Sequence, residues 1–131
     1  MILVDTSVWV DFFKGKDKVH VAALERFLTE GEDICICGVI LTEVLQGFRD
    51  DADYRKTLAL FDSFILLPMN RHTFLKAAEI YRLLRHRGII IRRPVDCMIA
   101  AVAIQHDIPL LHNDRDFEPI EKYCRLRSVK T

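Results

Sequence analysis

The 131-residue chain carries no excess charge of either sign, nineteen basic side chains balancing nineteen acidic ones. Net charge therefore provides neither a polycationic nucleic-acid footprint nor a membrane-binding one, and any contact with a polyanion has to come from a local patch or from bound metal. No apolar run approaches the roughly 18 residues of a spanning helix. The opening MILVDTSVWV lacks a basic leader and is broken by Asp5, so it reads as a strand rather than a signal peptide, and a cytoplasmic protein is expected. Cysteine is sparse. Cys35 and Cys37 form a C-x-C with no second close pair, Cys97 and Cys124 stand apart, and buried free thiols are expected rather than zinc or a disulfide framework. None of the five histidines makes a Cys/His or Ser/His arrangement for nucleophilic catalysis. With no repeat, linker or low-complexity tract and half of its residues apolar, the chain should form one domain over residues 1–131.

What is present is an alternation of short apolar runs and amphipathic stretches. Ile2–Val4 reads as a strand ending at Asp5, with the capping residues Thr6 and Ser7 opening a helix. Val21, Leu24, Phe27 and Leu28 form a helical stripe stopped by Gly31, and Ile34–Cys37 is a second strand. Ile40, Leu41, Val44, Leu45 and Phe48 repeat at helical spacing around Glu43. A charged helix follows around Tyr54–Phe61, then an apolar run at Ile65–Leu67. Phe74, Ala77, Ile80, Tyr81 and Leu84 share one face of a helix capped by Asn70 and ended by Gly88. Ile89–Ile91 reads as a brief extended segment, the stretch from Asp96 as a helix buried nearly all round, Ile108–Leu111 as a last strand, and HNDRDF as the loop into a final helix. Strands alternating with helices predict an α/β sandwich around a mainly parallel sheet.

Ligands of parallel sheets collect at the carboxyl ends of strands, which singles out Asp5, Glu43, Asp96 and Asp114, with Asp116 beside them. Separately, Asp5 could be a helix cap, Asp96 a complement to a helix dipole and Asp114 a turn residue. Glu43 is harder to explain away, because it interrupts an apolar segment. Gathering several carboxylates raises their pKa values unless a cation neutralises them, and all-oxygen ligands favour Mg²⁺ or Mn²⁺ over zinc. Such an ion can activate water and offset charge on a reacting phosphate.

VDTSVWVDFF, TEVLQGF with Glu43, PVDCMIAAVAI with Asp96 and LLHNDRDF with Asp114 resemble, in order, the four motifs of VapC-type PIN domains, and the resemblance covers nearly the whole chain. It implies a PIN-like α/β/α sandwich that cleaves RNA endonucleolytically with Mg²⁺ or Mn²⁺. It assigns Asp5, Asp96 and Asp114 to the metal and Glu43 to the acidic set near the metal or its water, with Asp116 as a further member. Thr6 and Ser7 would orient Asp5 or contact phosphate. His112 stands where PIN domains more often carry a small hydroxyl residue. The resemblance also implies a homodimeric toxin and a cognate VapB-type antitoxin whose tail occludes the acidic cleft.

Five arginines, Arg82, Arg85, Arg87, Arg92 and Arg93, precede Asp96 with no acid among them. Arg85, Arg87, Arg92 and Arg93 are candidates to grip RNA phosphates, against the alternative that Arg85 and Arg87 only complement a helix end. Trp9, Phe12 and Phe13 read as core or interface. A receiver-like regulatory module would show paired acids after the first strand, where Thr6 and Ser7 stand, and a later strand-end lysine. A non-catalytic PIN fold would have lost motif acids, and all are present.

Overall fold

The computed structural model describes residues 1–131. Strands β1 (Ile2–Val4), β2 (Ile34–Cys37), β3 (Ile65–Leu67) and β4 (Leu110–Leu111) form one wholly parallel sheet in the order β3-β2-β1-β4. Ile2 is registered with Ile34, Cys35 with Ile65 and Leu3 with Leu110. Every residue of β1, β2 and β4 is buried, as in parallel strands covered by helices on both faces.

Each crossover between strands is a pair of helices. Helices α1 (Thr6–Phe13) and α2 (Val19–Thr29) lead from β1 to β2, and α3 (Gly38–Gln46) and α4 (Asp51–Phe61) from β2 to β3. Helices α5 (Arg71–His86) and α6 (Pro94–Gln105) lead from β3 to β4, and α7 (Glu118–Cys124) follows a 3-10 turn at Arg115–Phe117. The first two crossovers step outward on one side of β1, and the third returns to its other side. The winding therefore reverses between β1 and β4, where the connections diverge and leave a crevice at the strands' carboxyl ends.

Local chemistry places the helix ends. Asp50 accepts from the amides of Ala52 and Asp53 to start α4, and Asn70 forms a reciprocal capping box with Thr73 to start α5. Gly31 and Gly88, at φ +70° and +77°, take the left-handed turn that ends α2 and α5. Trp9 is fully buried with the rings of Phe61 and Phe64 at 4.8 and 5.4 Å, so it is core, and Phe12 and Phe13 pack partly buried beside it. Cys35, Cys37 and Cys97 are buried free thiols, and Cys124 is half-buried. No helix is long and apolar enough to cross a membrane.

One expected strand is corrected. The brief extended segment at Ile89–Ile91 lies outside the sheet, the Ile89 amide bonding back to Leu84 O at the end of α5. The last strand shrinks from Ile108–Leu111 to Leu110–Leu111, because the Ile108 amide is taken by Ala103 O and Pro109 has no N–H to give. The helix expected from Asp96 begins two residues earlier, at Pro94, which suits a first helical position since its missing N–H would go unpaired there anyway.

Candidate functional site

At the crevice, Asp5 follows β1, the Asp114–Asp116 turn follows β4, and Asp96 lies in the first turn of α6. Asp96, Asp114 and Asp116 each offer a carboxylate oxygen, all within 4.8 Å of one another. Asp5 caps α1, its Oδ2 accepting from the Ser7 amide at 3.0 Å and from Ser7 Oγ at 2.5 Å. Cap and cleft acid are thus compatible roles, since Ser7 occupies one oxygen only. Asp114 likewise caps the 3-10 turn, Oδ1 accepting from the Asp116 amide at 2.9 Å.

Asp96 is 2% exposed and its Oδ2 is buried without any hydrogen-bond partner. Burial, then repulsion from Asp5, Asp114 and Asp116, pushes its carboxyl up to about 7 against the pull of Arg93. Asp5 is also held above its ordinary range by burial, the Ser7 donors opposing the rise. Asp116 Oδ2 is another buried oxygen without a hydrogen bond, 3.5 Å from Arg92 Nε. Unpartnered anionic oxygens crowded into a cleft are costly alone and suit a hard divalent cation. This donor set fits a metal.

Glu43 lies outside the trio of closest acids. Its Oε1 accepts from Thr6 Oγ1 at 2.8 Å and its Oε2 from Arg93 Nη2. The arginines divide: Arg92 and Arg93 reach acids of the cleft, whereas Arg85 lies over the Tyr81 ring at 5.6 Å and Arg87 over Tyr123 at 4.3 Å.

The PIN domain family matches residues 2–123. Ribonuclease VapC11 of Mycobacterium tuberculosis is 35% identical over 131 residues, which cover 98% of each chain. The chain belongs to the PIN-domain family, among its VapC ribonucleases. Among solved structures, VapBC-1 from nontypeable Haemophilus influenzae matches with a TM-score of 0.76 at 20% identity, over 99% of this chain and 98% of that one. VapBC-5 of M. tuberculosis, a member of the VapBC family of toxin–antitoxin systems, matches at 0.70 and 20%, over 98% and 97%. These two share the fold.

Beside the cleft lies a further group to which the motif resemblance assigns no role. Asp11 and His20 form a buried pair at 2.7 Å, and Asp11 also accepts from Asn113 Nδ2 at 3.3 Å, while the Asn113 amide donates to Ser7 Oγ at 3.0 Å. The pair thus ties α1 and α2 to the loop carrying Asp114. Burial would raise the Asp11 carboxyl, but the hydrogen bonds of His20 and Asn113 and the charge of Lys16 hold it below its ordinary value. A signal was there: Asp11 interrupts the apolar run from Val8 to Phe13.

Proposed function

We propose that this chain is a metal-dependent endoribonuclease, the toxin of a toxin–antitoxin pair, acting as a single PIN domain over residues 1–131. The carrying observation is the gathering of Asp96, Asp114 and Asp116 oxygens within 4.8 Å, with Asp96 Oδ2 buried and unpartnered. Together with Asp5, these acids would hold Mg²⁺ or Mn²⁺, the hard cations that all-oxygen sites take. A divalent cation bound there would neutralise charge on the scissile phosphate and make water available as a nucleophile near neutral pH.

The chain's own groups supply positioning. Ser7 fixes the rotamer of Asp5 through two hydrogen bonds to one oxygen, leaving the other for the cleft. Thr6 and Arg93 orient Glu43, and Arg93 in turn is held at the cleft mouth, where its guanidinium can donate to a phosphate in the bidentate manner. Arg92 and Arg93 are the arginines best placed for RNA. Arg85 and Arg87, engaged with aromatic rings, would add a more distant contribution.

The partners proposed are RNA, a second copy of the chain, and a VapB-type antitoxin whose basic tail enters the acidic cleft, all in the cytoplasm. The VapBC assemblies that share this fold motivate the antitoxin. The deciding experiment incubates purified protein with RNA in EDTA, Mg²⁺ or Mn²⁺, alongside Asp96→Asn. Metal-dependent cleavage lost in the variant supports the reading, and cleavage that survives both EDTA and the variant refutes it.

A further inference from the structure

We propose that His112 is a positioning residue that sets the backbone of the Asp114–Asp116 turn, and that α7 and the segment after it fix its ring for this task. The inference rests on the reading of the cleft as a metal-dependent nuclease site.

His112 follows β4 directly, half-buried, with its ring 4.8 Å from that of Phe117. Its Nδ1 accepts from the Asp114 amide at 3.2 Å. A nitrogen that accepts carries no proton, so the ring proton belongs on Nε2. That nitrogen faces Glu121 Oε1 on α7 at 2.6 Å, a carboxylate that only accepts, and so Glu121 selects the tautomer the turn requires. Ser128 Oγ donates to the same Glu121 oxygen and lies 3.1 Å from His112 Nε2.

Ser128 is itself held by backbone. Leu110 pairs with Ser128 in a parallel bridge, the Leu110 amide donating to Arg127 O and the Val129 amide to Leu110 O, both at 2.9 Å. The residues after α7 thus line the free edge of β4 and bring Ser128 beside Glu121. One continuous path runs from that edge through Ser128, Glu121 and His112 to the Asp114 amide. Asp114 then caps the 3-10 turn through Oδ1, which aims its carboxylate and that of Asp116 at Asp96. Groups that orient ligands from behind typically account for about 10–100-fold in metal affinity or activity.

The test separates the two ring nitrogens. Asn at position 112 keeps an acceptor near the place of Nδ1 but cannot reach Glu121, whereas Gln keeps a donor near Nε2 and loses the acceptor. In metal-free protein, hydrogen exchange of the Asp114 amide should be faster in His112→Ala and His112→Gln and near the parent rate in His112→Asn. By calorimetric titration with Mn²⁺, His112→Ala should bind about 10-fold more weakly, with His112→Asn recovering most of the loss. The Mn²⁺ concentration for half-maximal cleavage should follow, while the KM for RNA at saturating metal stays put. Glu121→Ala should weaken Mn²⁺ binding in the same direction and add little when combined with His112→Ala. If His112→Ala does not fold, Glu121→Ala and Ser128→Ala carry the same comparison. Parent-like exchange and Mn²⁺ affinity in His112→Ala, or equal loss in the Asn and Gln variants, overturns the proposal while the nuclease reading stands. A parent protein that neither binds Mn²⁺ nor cuts RNA overturns both.

Discussion

Replacing Asp96 by Asn should make the metal-free protein more stable above neutral pH while abolishing cleavage. Asp96 is buried with one oxygen unpaired, and its carboxyl is raised from 3.8 to about 7. A carboxyl raised by folding binds protons more tightly in the folded state, so stability falls as pH climbs from about 4 through 7, and the full penalty is present above 7. Moving a carboxyl from 3.8 to about 7, at 1.36 kcal/mol for each tenfold change in proton affinity, sets a ceiling of about 4 kcal/mol. Relaxation and water entry around the charge reduce this, and about 2 kcal/mol is expected, near 8 °C in melting temperature for a chain of this size. Asn keeps the volume and removes the charge. Thermal melts in EDTA at pH 8 should therefore place Asp96→Asn above the parent, with less than half of that difference at pH 5. Adding Mn²⁺ should raise the parent's melting temperature and leave the variant's unchanged, because only a ligand that binds the folded state stabilises it. Equal melting temperatures at pH 8, or a gap as wide at pH 5, would refute the account of Asp96 as a strained, metal-seeking charge.

Arg92→Ala and Arg93→Ala should each weaken RNA binding and flatten the dependence of log K on log salt by about 0.7, as for one lost single-strand phosphate contact, in fluorescence anisotropy with Asp96→Asn as background. Arg85→Ala and Arg87→Ala should change that slope less, their guanidinia lying over Tyr81 and Tyr123. Asp11→Asn should cost about 1.5–3 kcal/mol in urea unfolding at pH 7, the range for a hydrogen bond to a charged group. Because folding lowers the Asp11 carboxyl below 3.8, that contribution is complete well above this value and is lost as pH falls through the folded value, so the gap between parent and variant should narrow as pH drops below 3.8. The Cys37 and Cys97 thiols, pushed by burial to about 11 and about 12, should resist iodoacetamide at pH 8 while the half-buried Cys124 is labelled first, as read by mass spectrometry.

Much of this protein is legible along the chain because local rules govern it. The apolar runs of β1 and β2, the caps Asp5 and Asn70, the stops at Gly31 and Gly88 and the all-round apolar α6 each depend on neighbours within about one turn of helix or a few strand residues. Alternation of strand and helix then dictates a parallel sheet, and strand-end acids point to its carboxyl edge. What the tertiary structure decided is which of those acids touch, and through what. Glu43 turns to Thr6 and Arg93, partners 37 and 50 residues away, while Asp116 joins Asp96 and Asp114. Asp11 finds His20 and Asn113, and His112 finds Glu121 and Ser128. The short β4 and the bridge at Ser128 depend on which edge of the sheet the chain reaches last. Periodicity reports the face on which a side chain lies, but a hydrogen bond forms only within about 3 Å, and that distance is set by the packing of whole elements against one another.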